Sequence, residues 1–301
     1  MTFSPVNISV IIPFHGEKND LLNCITALQN QNFKHPFEII VVESANDPQI
    51  KKLFNPYLNV NLISSGTLLF PGKARNIGSA NSNSDFLAFL DADCIPTSTW
   101  LSEVYTSLKN DCQIVIGPVT NLYPFHPVAS IDNLLQFADF QKKRKSKNIT
   151  HFPGCNLGII KGLFIKSGGF LEEISVGEDT KFSETIIKKN IAKISFNQKM
   201  IVRHSGRKEF IRFLKHQETF GFYRGYLKNG SLSSYNQFRN GFLFSVFWGL
   251  RRLFIVIIQT LKWNPNGIFR IILYFPFLCL GLAAWVFGFW KGIQKNFEGK
   301  N

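Results

Sequence analysis

Apolar residues in the first hundred positions follow two rhythms. Ile8 to Ile12 (ISVII) is a short continuous run, rich in β-branched side chains and ended by Pro13. Such a run predicts a strand buried on both faces. From Asp20 to Gln29 the spacing changes: Leu21, Cys24, Ile25 and Leu28 recur three and four apart, as on one side of a helix. Glu38 to Glu43 (EIIVVE) predicts a second buried strand and Asn59 to Ile63 a third. A helix opens near Gly72, and Phe86 to Leu90 (FLAFL) predicts a further strand running into Asp91. Strands alternating with helices imply a mostly parallel sheet covered on both faces. Ligands of such sheets gather beyond the strand C-termini, where Pro13, Glu43 and Asp91 stand.

Beyond residue 113 the pattern is less regular. QIVIGPV (113–119) reads as one strand, Ile131 to Phe140 as a helix, and KKRKSK (142–147) as an exposed basic loop. HFPGCNLGII (151–160) reads as a turn into a strand, and a helix starts near Glu178 with two acids in its first turn. The last hundred residues differ in kind. Between Lys199 and Lys262 stand 12 Lys or Arg and only Glu209 and Glu218, a net +10. FLFSVFWGL (242–250), Arg251–Arg252 and LFIVII (253–258) form a first apolar block with two charges at its centre. That block reads as an interfacial or shallowly inserted helix, with Arg251 and Arg252 reaching headgroups. A turn at NPNG (264–267) leads to Ile271–Trp290, 20 residues without a formal charge and long enough to span hydrocarbon. Trp285, Trp290 and Lys291 suit an interfacial border. Both blocks also suit buried helices of a soluble domain or an oligomer interface.

Composition sharpens this picture in one respect. Lys and Arg number 34 against 20 acids, a formal +14, which suits a polyanionic partner. Because the excess lies beside the apolar blocks and no nucleic-acid module is recognisable, the expected partner is an anionic membrane surface, not nucleic acid. Cys24, Cys94, Cys112, Cys155 and Cys279 are odd in number and far apart, which excludes a C-x-x-C zinc site and a disulfide framework. The opening MTFSPVNISVIIPF lacks a basic region followed by a long apolar stretch, so the expectation is a catalytic portion kept in the cytosol.

Three groups carry candidate chemistry. Asp91-Ala92-Asp93 follows a buried strand, and two carboxylates so placed can share Mg²⁺ or Mn²⁺, hard ions that neutralise a diphosphate. In PGKARNIG (71–78), Gly72 permits a close backbone approach while Lys73 and Arg75 offer positive charge near a helix start. It is not a P-loop, and no G-x-G-x-x-G occurs. Glu178-Asp179 could divide deprotonation of a hydroxyl from its orientation. His151, Asn156 and His204 are polar residues near strand or turn ends, and His204 is a candidate metal ligand or phosphate contact.

Taken in order, SVIIPFHGE (9–17), EIIVVESAND (38–47), PGKARNIG (71–78), FLAFLDADC (86–94) and PGCNLGIIKGLFIKSGGFLEEISVGEDTKF (153–182) resemble family 2 glycosyltransferases of the GT-A fold. The resemblance implies an α/β GT-A domain over 1–205, with a nucleotide-sugar half (1–120) and an acceptor half (121–205). A basic amphipathic helical segment (206–240) and membrane-associated hydrophobic helices (241–301) follow. It implies metal ligation by Asp93 and Asp91, and Asp179 as the acceptor-activating base beside Glu178. Pro13, Phe14 and Glu17 would line the nucleotide site, Glu43 would stand where the family's base-reading Asp does, and Lys73 and Arg75 would lie near the nucleotide. Val42-Glu43-Ser44 departs from the family's V-D-D-x-S, and no Q-x-x-R-W follows the catalytic acid. The chain is therefore similar to non-processive members that use a nucleoside diphosphate sugar, a glycan or glycolipid acceptor and Mg²⁺ or Mn²⁺ at the cytoplasmic face of the cell membrane. The hydrophobic region would be a surface for homo-oligomers. Nucleotidyl transfer would expect a glycine-rich signature after the first strand, where P-F-H-G-E stands; an inactive membrane-anchored binding protein would not need its acids at 91, 93 and 179.

Overall fold

A computed structural model describes residues 6–44, 47–54, 57–110, 112–145, 149–229 and 241–298. In chain order the elements are β1 (Ile8–Phe14), α1 (Lys18–Gln29), β2 (Phe37–Glu43), α2 (Pro48–Phe54), β3 (Val60–Ser64), α3 (Pro71–Ala80), β4 (Phe86–Leu90) and β5 (Cys94–Pro96). Next come α4 (Trp100–Asn110), β6 (Ile114–Ile116), β7 (Val119–Asn121), α5 (Pro127–Phe137), β8 (Asn156–Ile160), α6 (Lys161–Lys166), α7 (Glu178–Lys189), β9 (Ile194–Phe196) and β10 (Val202–His204). Four helices complete the chain: α8 (Phe210–Asn229), α9 (Phe242–Trp263), α10 (Gly267–Leu273) and α11 (Phe275–Glu298).

The chain forms two compact units, 1–120 with 144–205 and 121–143 with 206–301. In the first, a seven-stranded sheet runs β3-β2-β1-β4-β8-β6-β9. Strands β3, β2, β1 and β4 are mutually parallel, whereas β8 runs antiparallel to both β4 and β6, so the sheet is mixed. The apolar run of β1 is buried on both faces, as its lack of alternation requires. Pro13 does not end β1, which continues to Phe14, because the parallel pairing with β2 extends through Phe14 and Glu43.

QIVIGPV is two strands, not one. Ile114–Ile116 joins the large sheet, while Val119–Asn121 joins a three-stranded sheet ordered β5-β10-β7. Gly117 and Pro118 make the break, and a Cβ at Gly117 would lie 2.0 Å from the Met200 carbonyl oxygen. Asn156 ties this junction together, accepting from Trp100 Nε1 (2.8 Å) and donating to the carbonyls of Pro118 (3.0 Å) and Met200 (2.9 Å). The basic loop at 142–147 is exposed only in part. Arg144 is buried with its guanidinium over Phe196, and residues 146–147 lie outside the described residues.

The second unit is helical. Residues 121–143 belong with the C-terminal helices, because Ile131, Leu134 and Leu135 of α5 share a core with Phe213, Val256 and Leu278. The predicted segment 206–240 is described only to residue 229, as α8, and packs intimately with α11. Ile271–Trp290 is not one helix but is interrupted at Tyr274. Pro276 explains the interruption: it fits the first turn of α11 but could not continue α10. Trp285 and Arg252 also turn inward, not toward a border: Trp285 stacks on Phe289 at 5.0 Å, and Arg252 lies over the Trp285 ring. Segments Phe242–Trp263 and Phe275–Lys295 are long and apolar enough to cross a membrane.

Candidate active site

The site lies in the first unit, beyond the C-terminal end of parallel strand β4. Asp91, Ala92 and Asp93 turn the chain from β4 into β5, held by a hydrogen bond from Cys94 N to the Asp91 carbonyl (3.0 Å). Strand β10 pairs antiparallel with β5 so that His204 stands opposite Cys94. That register brings His204 Nε2 to 3.3 Å from Asp93 Oδ2, with the imidazole buried and the Asp93 side chain 33% exposed. Ser205 N also donates to the Asp93 carbonyl (2.9 Å), which fixes the loop. Burial pushes the neighbouring Cys24 and Cys94 thiols well above the usual thiol range.

Arg75 joins two distant parts of the chain. Its Nη2 donates to Asp91 Oδ1 and its Nη1 to Glu178 Oε1, both at 2.6 Å, and its guanidinium lies over Phe170 at 5.4 Å. Burial alone would lower the arginine's pKa, but Asp91 and Glu178 outweigh it and raise it. Glu178 is nearly enclosed. Burial first, and the charge of Asp179 second, push its carboxyl up to about 7, against the pull of Arg75. Asp91 is likewise raised by its low-polarity surroundings while Arg75 pulls it down, yet its side chain keeps 31% exposure. Arg75 donates to Oδ1 of Asp91.

Asp179 is delivered by a turn that only glycine makes cheaply, with Gly177 at φ +93° immediately before α7. Its Oδ2 accepts from Gly154 N (3.0 Å) and its Oδ1 from Thr180 N (2.6 Å). The two adjacent acids therefore diverge. Glu178 turns inward to Arg75, while Asp179 remains half-buried at the helix start.

The remaining expected residues are placed less centrally. Phe14 is buried and Pro13 half-buried at the end of β1, while Glu17 is exposed just before α1. Glu43 is 1% exposed at the end of β2, where Ser64 Oγ donates to its Oε2 (3.1 Å). Lys73 is exposed on α3. Gly72 does make a close approach, but to protein: a Cβ there would meet the Leu171 carbonyl oxygen at 2.0 Å. His151 pairs with Thr150 Oγ1, and Asn156 is engaged with Trp100, Pro118 and Met200. Sequence reasoning missed the Gly154 N–H that holds Asp179 and the inward pairing of Arg75. Only P-G-C at 153–155 signalled the first, and nothing signalled the second.

Among the described residues no group of three or more His, Cys, Asp and Glu is preformed to hold a metal ion. A divalent ion nevertheless fits the donor set. Adjacent ligands of an octahedral Mg²⁺ or Mn²⁺ stand about 3 Å apart at ordinary bond lengths, close to the Asp93–His204 separation. Such ions commonly take only one or two protein ligands and complete their shell with substrate phosphates and water.

A mixed α/β sheet with an acidic loop beyond a parallel strand, faced by a second acid at a helix start, defines a GT-A-like domain. Residues 9–168 match the family described as Glycosyl transferase family 2, and the chain belongs to that family. Among curated relatives, it is similar to glycosyltransferase AglE of Haloferax volcanii, with 26% identity over 190 residues, covering 61% of this chain and 62% of that one. It is also similar to the pre-mycofactocin glycosyltransferase of Mycobacterium tuberculosis, at 22% identity over 71% of this chain and 46% of that one. The matched stretches thus span less than two thirds of these relatives. Among solved structures, mannosyltransferase PcManGT from Pyrobaculum calidifontis in complex with GDP-Man and Mn²⁺ aligns with a TM-score of 0.59 at 14% identity, covering 99% of this chain and 89% of that one. S. aureus TarS in complex with UDP-GlcNAc aligns with a TM-score of 0.55 at 15% identity, covering 98% and 92%.

Proposed function

We propose that the protein transfers one sugar from a nucleoside diphosphate sugar to a lipid-linked or saccharide acceptor, with inversion at the anomeric carbon, on the cytoplasmic face of a membrane. The observation that carries this reading is the Arg75 bridge. It ties the acidic loop after β4 to the first turn of α7, so the donor-side acids and Asp179 share one site. Family membership and the GDP-Man complex of the similar mannosyltransferase support a nucleotide-sugar donor.

In the proposed mechanism Asp179 accepts the proton of the acceptor hydroxyl as that oxygen attacks the anomeric carbon. The bond from that carbon to the diphosphate breaks, and the diphosphate leaves with the electron pair. Gly154 N–H and Thr180 N–H hold the Asp179 carboxylate in place. Arg75 offsets the charges of Asp91 and Glu178, so the acidic loop and the helix start can stand close without mutual repulsion. Asp93 and His204, with Asp91 beside them, would hold Mg²⁺ or Mn²⁺, which when bound supplies positive charge to the diphosphate. Pro13, Phe14, Glu17 and Glu43 line the nucleotide end of the site, and Lys73 faces its phosphates. The apolar, basic second unit is assigned to the membrane.

The test is a panel of nucleotide sugars offered to the full-length protein with Mg²⁺, with Mn²⁺ and with EDTA. Release of nucleoside diphosphate is followed, and the anomeric configuration of the product is read by NMR. Metal-dependent release with an inverted product is expected. Retained configuration would sink the inverting mechanism, and no release with any donor would sink the activity.

A further inference from the structure

The helical unit carries an apolar surface that its own core does not use. On α9, Leu243, Phe247, Leu250, Phe254, Ile258 and Leu261 are exposed, Phe254 at 64%. Their spacing of four, three, four, four and three residues confines them to one side of the helix. The residues buried on α9, Ser245, Gly249, Val256 and Thr260, occupy the opposite side. Exposed Arg251 and Lys262 flank the stripe, lying over the rings of Trp248 (4.9 Å) and Trp263 (4.6 Å). An apolar stripe edged by cations and indole rings matches the acyl boundary of an anionic bilayer, with phosphate groups above it.

Such a unit could meet a bilayer by sending α9 and α11 across it or by lying along it, and the helix packing decides between these. Helix α11 runs beside α8 at backbone contact. A Cβ at Gly288 would stand 1.9 Å from the Glu218 carbonyl oxygen, at Gly292 2.0 Å from that of Phe222, and at Gly221 2.0 Å from that of Trp285. Helices this close enter a bilayer together. If α11 crossed, α8 would cross beside it and carry exposed Arg212, Lys215 and Arg224 to hydrocarbon depth. Fully buried Asp132, which bonds Arg207 and Gln217, would be carried into the same low-dielectric layer. Lying flat leaves those groups in water or protein and wets none of the stripe.

We propose that this unit is a monotopic anchor: α9 lies in the plane of an anionic bilayer with its Leu243–Leu261 stripe at the acyl boundary, and no helix crosses. This rests on the membrane association proposed above and adds its geometry. The test uses full-length protein bound to sealed phosphatidylcholine–phosphatidylglycerol vesicles. Nitroxide labels are placed at Phe254→Cys, Lys215→Cys or Arg224→Cys, with exposed Cys279 replaced by Ser. The label at 254 should be reached by oxygen and not by an external nickel chelate, at a depth of about 5–10 Å. Labels at 215 and 224 should be reached by the external chelate. Shielding of 215 or 224 would mean a spanning bundle and overturn the proposal while leaving membrane association standing. Failure to float with vesicles would overturn both. A label at 254 shielded from both probes, in a chain that sediments as a dimer, would assign the stripe to a second copy and also overturn it. The double change Leu250→Glu with Phe254→Glu should lower vesicle partition at least tenfold with donor binding unchanged; unaltered partition would count against the stripe.

Discussion

Asp91 and Asp132 are two carboxylates that each face an arginine, one in each compact unit, and their surroundings divide structure from chemistry. Asp132 is 0% exposed, and both of its oxygens are engaged inside the helical unit. Arg207 N donates to Oδ2 (3.1 Å) with the Arg207 guanidinium beside it, and Gln217 Nε2 donates to Oδ1 (3.1 Å). Gln217 in turn accepts from Arg252, which also donates to the Leu135 carbonyl (3.1 Å each). This network holds α5, α8 and α9 in register within the unit. Asp91 gives Arg75 one oxygen and keeps its side chain 31% exposed. A carboxylate that keeps solvent exposure is where a ligand can be bound; a fully buried one bonded across helices is where helices are joined.

The largest effect expected from this contrast is at Asp179. Asp179→Asn keeps the size of the side chain and removes the proton acceptor, so turnover should fall about 10² to 10⁴-fold, roughly 2.7 to 5.4 kcal/mol at the transition state. Donor affinity and thermal unfolding should stay near wild type. Near-normal turnover would remove Asp179 as the base.

Asp132 should behave in the opposite way. Asp132→Ala leaves Gln217 and Arg207 without their buried acceptor and should cost about 3 kcal/mol of stability, the lower end for a broken buried pair because Arg207 is one-third exposed. Denaturant unfolding measures it, and a change under about 0.5 kcal/mol would refute the structural reading of the network.

Asp93→Asn should weaken metal-dependent donor binding about ten- to a hundredfold, with His204→Ala in the same direction. Calorimetry with Mn²⁺ present and absent checks this; equal donor binding in both conditions would clear these residues of metal duty. Gly288→Leu tests the helical unit alone. It forces a side chain against the Glu218 carbonyl and should destabilise by about 1 to 3 kcal/mol, read as a lower unfolding midpoint.

A pH dependence is expected at Glu178. Its carboxyl is raised to about 7 in the folded protein, so between the ordinary carboxylate range and pH 7 the native state holds a proton that the unfolded chain has released. Stability therefore declines as pH rises through that window, by no more than one proton's worth, and levels off above pH 7. Comparing unfolding midpoints from pH 4 to 8 for wild type and Glu178→Gln checks the sign, since the variant should lose that slope. A slope that persists in the variant belongs to another group.

Much of the first unit was legible in the chain itself. The runs ending at Pro13, Glu43 and Asp91 predicted β1, β2 and β4 within two residues, because a short continuous apolar run bounded by polar or turn residues has few stable fates besides a buried strand. The same rule failed at 113–119, since a run of apolar residues carries no information about which sheet each half joins. The helix at Glu178 was legible from its paired acids, but their divergence was not. It depends on Arg75, 103 positions away, reaching one of them.

Local pattern alone determined the strands of the parallel half, the acidic turn after β4, the start of α7 and the apolar character of the C-terminal helices. These are properties of neighbouring residues, and steric preference with hydrophobic spacing settles them over a few positions. Tertiary structure alone decided that β8 runs antiparallel, that Arg75 serves Asp91 and Glu178, that α5 belongs with the C-terminal helices and that α8 lies against α11. Each of these joins groups far apart in the chain. Charge pairing at 2.6 Å and backbone contact across glycines exist only once the chain has folded, so no local pattern encodes them.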